Sequence, residues 1–387
     1  MRLRVMFIRF FRSLGGGLKA FLQKRQLLRQ IKDKRRVRIL SSVSLTTEQQ
    51  NQIDRLYGEN YGKKIPHDWH RYFTAFTGKF DPGYLPEMLY IPAFERFENL
   101  WPAYCHVFED KNFTPLLAAR TGVKTPPVRV ACAKGCFFDS AFLPLSREEA
   151  MARLDNAGEV FIKPSVNTGS GKNCMLANIQ GGMDLLSNTP LAELLAPLGM
   201  DYTVQERLRC HESIAAIYPE SVNTFRLISY RWKDEILFMP TILRIGRGGN
   251  HIDNAHAGGV FVGILEDGRL TRSAFTEFRT EYERHPDTGV CFAEHRIPLY
   301  PEVKAAAKRM HEFLPQVGVV NWDFTLDESG APVLIEMNVL GGSPWMAEMA
   351  HGCGPFGDKL PEILRWLRLM ENTKAADREQ YAFGRGV

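Results

Sequence analysis

The sequence predicts an α+β protein. Helical patterning fills roughly the first third. Strand patterning begins at Val128 and dominates from Tyr202 onward. Strands and helices mix without the strand–helix–strand alternation that builds a doubly wound sheet. The chain has 387 residues, 44% hydrophobic and 24% charged. That is ordinary globular composition with ample material for a core, and it excludes a disordered, collagenous or coiled-coil chain. At roughly one domain per 150 residues, two or three domains are expected. No internal repeat is present.

The first element is basic. Residues 1–38 hold thirteen Lys and Arg against one acid, Asp33, a net +12; the formal total of +5 leaves −7 for the rest. Bulky apolar residues are interleaved: Leu3, Val5, Met6, Phe7, Ile8, Phe10 and Phe11, then Leu18, Phe21, Leu22, Leu28 and Ile31 at near-helical spacing. Gly15-Gly16-Gly17 is expected to interrupt between two helical segments. Arginines break the apolar region and no small-residue cleavage site follows, so the segment does not read as a signal peptide. It reads as a helix packed on the body or as one lying on an anionic membrane surface. Nucleic acid is not expected as a partner, because no aromatic-basic reading module follows.

Compartment and membrane spans follow from simple counts. Seven dispersed cysteines argue for a reducing compartment over a disulfide framework, hence the cytoplasm, at the inner membrane face if the tail docks there. The longest stretch free of Asp, Glu, Lys and Arg is 254–265, far short of the ~20 apolar residues of a membrane span.

Residues 45–120 read as helical. Leu45-Thr46-Thr47-Glu48 offers a helix start capped by threonine. A further helix opens at Asp110-Lys111-Asn112 and stops at Gly122, and Pro126-Pro127 marks a boundary. Strands are expected over 128–131, 159–163, 175–179, 202–205, 224–230, 236–243, 259–265, 319–326 and 333–337. Helices are expected over 146–154, 190–198, 301–313 and 361–369.

Four segments carry chemistry. VFIKPSVNTGSGK at 160–172 is an apolar strand ending in Lys163-Pro164, then a small-residue loop. Backbone amides of such a loop can solvate phosphates, and Lys163 adds a fixed charge. It is not a P-loop: Val166 stands where the first glycine belongs, and Asn173 follows Lys172. Nor is it a dinucleotide fingerprint, since Cys174 stands at the third glycine. A plain hairpin turn explains it equally well.

NWDFTLD at 321–327 and VLIEMN at 333–338 read as a hairpin turning at Glu328-Ser329-Gly330. Asp323 and Glu336 could then face each other, while Glu336 and Asn338, two apart, share a strand face. These hard oxygen donors suit Mg²⁺ completed by phosphate oxygens. The other reading is three polar residues on a solvated face. However, the apolar neighbours of Glu336 suggest a buried strand, where an unpaired carboxylate is costly.

Gln205-Glu206-Arg207-Leu208 can present a strand end to a purine edge, with Glu212 accepting from ribose hydroxyls; a solvated strand end is the plainer reading. Arg226, in the apolar run at 223–228, and Arg244 on the next strand need anionic partners, either acids or phosphates.

The order of these segments resembles that of the ATP-grasp superfamily: DK leading to GVKTPP, FIKP with a glycine loop, VQERL, NTFRL, WDF and IEMN. It is most similar to the sugar-transfer associated branch, over about 45–360. The resemblance implies two α+β lobes clamping a nucleotide, preceded by a helical region. The implied divisions are a basic tail (1–40), a helical region (41–125), a small lobe (126–208), a large lobe (209–370) and a tail (371–387).

It further implies ATP and Mg²⁺ as cofactors. Lys111 and Lys163 would touch the nucleotide and its phosphates. Ser170 and Gly171 would lie in the loop over them. Gln205, Glu206 and Leu208 would read adenine, and Glu212 the ribose. Asp323, Glu336 and Asn338 would bind magnesium. Arg226, with Arg244 nearby, would steady the transferring group. The implied reaction is an ADP-forming carboxylate–amine ligation through an acylphosphate, with small-molecule or glycan carboxylate and amine substrates. A peptide ligase, a kinase-like enzyme and a non-catalytic nucleotide-binding module remain alternatives. His256 could lie near the acceptor or serve structure.

Overall fold

The computed structural model describes residues 2–166, 172–255 and 258–387, with side chains from residue 16 onward. Among them, β1 (Val128–Ala133), β2 (Cys136–Phe138), β3 (Pro144–Leu145), β4 (Gly158–Pro164), β5 (Met175–Gln180), β6 (Met183–Asp184), β7 (Thr189–Pro190) and β8 (Tyr202–Glu206) form one sheet. Its order is β3-β2-β1-β8-β4-β5-β6-β7. A second sheet holds β9 (Thr224–Trp232), β10 (Glu235–Phe238), β11 (Thr241–Ile245), β12 (Val260–Ile264), β13 (Leu270–Phe275), β14 (Glu281–Tyr282), β15 (Val319–Leu326) and β16 (Pro332–Asn338). Its order is β14-β13-β12-β11-β9-β15-β16, with β10 paired to β9. The ladders are antiparallel, so neighbouring strands need no crossover helices.

Local chemistry explains most boundaries. Thr46 caps the helix Thr47–Asn60 in a capping box with Gln49, and Ser146 caps Arg147–Asp155 with Glu149. The helix Thr114–Thr121 ends at Gly122, whose φ of 68° is cheap only for glycine. That helix opens later than expected, because the Asp110 carboxylate accepts from the Asn112 amide and holds 110–113 in a turn. The single strand expected over 236–243 is instead two, β10 and β11. Pro240 has no N–H to continue the ladder.

The Gly15–17 run does not interrupt the first helix, which runs unbroken from Arg2 to Gln30. Glycine costs a helix interior about 1 kcal/mol relative to alanine but does not forbid it. Packing against Glu87–Leu89 and Tyr90–Glu95 holds the helix in place.

The second sheet is covered on both faces. One core joins Tyr57, Trp69, Phe73 and Phe94 of the helical region to Tyr230, Trp232 and Phe261 of the sheet and to Trp366 of the closing helix Leu360–Asn372. The other packs the sheet against helices Pro102–Phe108, Thr114–Thr121 and Tyr300–Glu312. Burial on both faces explains why every residue of β15 is buried, polar Asn321 and Asp323 included. The first sheet has its own smaller core, around Val130, Leu154, Val160, Ile162 and Val204.

The C-terminal residues pack down as well: Trp366 Nε1 donates to the Tyr381 carbonyl at 2.7 Å.

Candidate active site

A cavity of about 790 Å³ lies between the two sheets. It is lined by Lys111, Lys163, Gln205, Glu206, Leu208, Arg226, Arg244, Asp323, Glu336 and Asn338. Thus ten of the thirteen expected site residues meet around one space. The size suits a nucleotide together with a second small molecule.

Strand register builds the acidic end. Asp323 of β15 pairs with Glu336 of β16 and, on its other side, with Arg226 of β9. The next pair in the hairpin is Phe324 with Leu334, so Ile335 is an extra residue, a bulge beside Glu336. That bulge leaves the Ile335 carbonyl to accept from Lys163 Nζ at 3.3 Å. Lys163 comes from β4 of the first sheet, so this contact closes the cleft. Lys111, from the turn before Thr114, reaches the same place and pairs with Glu336 at 3.0 Å.

Burial pulls the Lys163 pKa down, opposed by Glu336 and assisted by Lys111. An ammonium so placed gains from an arriving anion.

The arginines are held by acids. Arg226 contacts both Asp323 oxygens, Nε to Oδ1 at 2.6 Å and Nη2 to Oδ2 at 3.0 Å. Arg244 Nη2 approaches Asp323 Oδ2 at 3.2 Å. A further acid, absent from the sequence-based set, completes the group: Asp253, 6% exposed. It accepts from the Thr224 amide at 3.0 Å and from the Thr224 hydroxyl, and lies 3.5 Å from Arg244 Nε. The same hydroxyl accepts from Arg244 Nη2 at 2.8 Å.

Burial disfavours the charge on Arg244, but Asp253 and Asp323 outweigh it and raise its pKa. Burial raises Asp253, with Arg244 opposing. The sequence signal for Asp253 was indirect: a buried arginine demands an acid, but nothing in the sequence says which.

Gln205 and Glu206 end β8, and the chain then crosses to the second sheet, where the His211 amide donates to Leu326 O at 2.9 Å. Glu206 pairs with Arg129 at 2.9 Å. Phe161 and Leu176 give this end apolar walls.

Glu212 is the exception among the described residues. It opens the short helix Glu212–Ala215, exposed and away from the cavity lining. His211 caps that helix, its Nδ1 accepting from the Ser213 amide at 3.2 Å. Ser170, Gly171 and His256 lie outside the described residues.

At the far end the cavity is bounded by Trp345, Met346 and the Gly341-Gly342-Ser343 loop. Glu95, buried in the π-helical segment Tyr90–Glu95, accepts from the amides of Gly341 at 2.8 Å and Gly342 at 3.0 Å. Burial raises its pKa to about 8, the two amides opposing.

The donor chemistry fits magnesium. Glu336, Asn338 and Asp323 offer hard oxygens on adjacent strands, with room for phosphate oxygens to complete the shell. Among the described residues no group of three or more His, Cys, Asp or Glu is placed to hold a metal by itself.

Two antiparallel α+β units closing on a cavity lined by lysines, arginines and acids make an ATP-grasp fold. The chain belongs to the sugar-transfer associated ATP-grasp family, which matches residues 94–360.

No curated protein matches the chain. Among solved structures it is similar to D-alanyl-alanine synthetase A from Vibrio cholerae, at 14% identity over 68% of this chain and 64% of that one, TM-score 0.40. It is similar also to a D-Ala:D-Ser ligase from Enterococcus faecalis, at 14% over 67% and 61%, TM-score 0.39. An N5-carboxyaminoimidazole synthetase from Staphylococcus aureus complexed with ADP matches at 13% over 61% and 46%, TM-score 0.36. The chain spans less than two thirds of the length of each. The family assignment rests on the domain match.

Proposed function

We propose that this protein is an ATP- and magnesium-dependent ligase that joins a carboxylate to an amine on a sugar or polysaccharide precursor. One observation carries the reading: Lys163 from one sheet and Lys111 converge on the Ile335-Glu336 bulge of the other, beside Arg226 and Arg244. Such a cluster of cations and hard oxygen donors is suited to a triphosphate and its metal. The family's description supplies the sugar context.

The substrate carboxylate attacks the γ-phosphorus, the bond to ADP breaks, and an acylphosphate forms. The amine then attacks the acyl carbon, phosphate leaves, and the amine loses a proton. A carboxylate needs little activation, so the protein's work is positioning and charge neutralisation. Lys111 and Lys163 hold phosphate oxygens. Arg226 and Arg244, fixed by Asp323 and Asp253, steady the transferring group. Magnesium, when bound by Glu336, Asn338 and Asp323, adds charge on the phosphate oxygens. Gln205, Glu206 and Leu208, with Phe161 and Leu176, take the base.

The test is ATP consumption by the purified protein against uronic acids, amino sugars and amino acids, singly and in pairs. ADP and phosphate released only with an acid–amine pair, and lost in Glu336→Ala, support the ligase. ADP with a single hydroxyl substrate and no free phosphate replaces it with a kinase-like reaction.

A further inference from the structure

The first helix is apolar on two sides. One side packs on the body: Ala20 is buried, Leu27 and Leu28 lie against the core, and Ile31 just past the helix end is buried too. The opposite side carries Leu18, Phe21 and Leu22, which are 61%, 56% and 54% exposed. Arg25 and Arg29 follow on that side at helical spacing, both exposed, and the Arg25 guanidinium lies 5.7 Å from the Phe21 ring centre. In the sequence, the stripe continues back at spacings of three and four through Leu14, Phe11, Phe7 and Leu3.

We propose that this face docks flat on an anionic membrane surface. Two observations choose the occupant. Residues 1–38 carry net +12, so a second copy of the same helix would meet like charge. A nucleic acid would satisfy the arginines but leave Leu18, Phe21 and Leu22 in water. A bilayer interface takes both, apolar side chains among the acyl chains and cations at lipid phosphates.

No described helix is long and apolar enough to cross a membrane, so the helix lies on the surface. The remainder of the chain, at net −7, is repelled by that surface, so the helix also sets orientation.

The helix packs on Glu87–Leu89 and Tyr90–Glu95, and Glu95 holds the Gly341-Gly342 rim of the cavity. If the ligase reading holds, this path suits an acceptor carried on a membrane lipid. The docking itself does not depend on that reading.

The test is flotation of the full chain with vesicles of phosphatidylglycerol or of phosphatidylcholine. The wild type should float with the anionic vesicles alone, and its binding should weaken at high salt. Leu18→Glu/Phe21→Glu/Leu22→Glu should reduce flotation at least about tenfold while keeping the wild-type circular dichroism and thermal midpoint, since all three side chains are exposed. Arg25→Ser/Arg29→Ser, which spares the apolar stripe, should reduce it less. Equal flotation of wild type and the triple variant overturns the proposal, as does a wild type that stays with the aqueous phase. A triple variant that turns a dimer into a monomer in light scattering overturns it too, by making this face a self-interface. ATP turnover of the soluble protein, measured in parallel, reports on the ligase reading alone.

Discussion

Asp323 and Glu336 are direct cross-strand partners, yet their carboxylates serve different cations. Asp323 is gripped by Arg226 and Arg244, whereas Glu336 faces Lys111. The ladder therefore separates an arginine-bound acid from a lysine-bound one across a single pair. A metal bound as proposed would meet less competition at Glu336, because lysine ammoniums are displaced more readily than two guanidiniums.

Glu336→Gln keeps shape and removes that charge. ATP turnover should fall about a hundredfold or more, and the magnesium requirement should shift upward. ADP release across a magnesium titration reads both. Unchanged turnover would remove Glu336 from the metal site.

Asp253→Asn removes the anion beside the Thr224 amide and one of the two buried carboxylates that hold Arg244, leaving Asp323 as the other. Loss of one partner from a buried ion pair costs about 3 kcal/mol. The urea midpoint should fall accordingly, and Thr224→Val should cost less, about 1–2 kcal/mol. Equal stability of Asp253→Asn and wild type would mean that the arginines hold themselves.

Gly342→Ala tests the rim. A Cβ there would stand 2.0 Å from Asn321 Nδ2, and Asn321 is fully buried and paired across the ladder with Asn338. Overpacking of this kind costs about 1–3 kcal/mol. Turnover should drop with it, because the strain reaches Asn338. Adding Asn321→Ser should restore part of both, and no restoration would place the damage elsewhere in the loop.

Glu95 predicts a pH dependence of stability. Its folded pKa is raised from 4.5 to about 8, so the folded protein holds a proton that the unfolded chain releases. Its contribution is full below about pH 4.5 and is lost as pH rises, levelling past about pH 8, at roughly 1.4 kcal/mol per unit between. Glu95→Gln should flatten this slope. Urea midpoints at about pH 6 and about pH 8 compare the two proteins; identical slopes would exclude Glu95 as the source.

Much of this was legible in the sequence. The hairpin that brings Asp323 near Glu336 follows from a short turn between two apolar runs, whereas the bulge at Ile335 that makes them direct partners left no sign in the sequence. The capping residues Thr46 and Ser146 announced their helices. Other features were not legible. Its place after the strand end and the resemblance assign Glu212 to the ribose, whereas in the structure it opens a short helix, is exposed and does not line the cavity. Gly15–17 read as a break because local propensity says so, whereas packing on Tyr90–Glu95 overrides it. Asp253 and Glu95 act through tertiary neighbours far away in the chain, which no local pattern encodes.

The chain enters and leaves the first sheet side by side. Lys124 bridges to Val333, Cys210 bridges to Asp327 on the same hairpin, and the Glu206 amide donates to Pro127 O at 2.9 Å. Residues 128–206 thus form a cassette spliced into the surrounding chain at one point. Excising it and rejoining its flanks with a short turn would leave the rest of the backbone path undisturbed. The cleft is therefore the seam between a host and its insert, and any change in how the insert tilts on its two adjacent stems opens or shuts that seam.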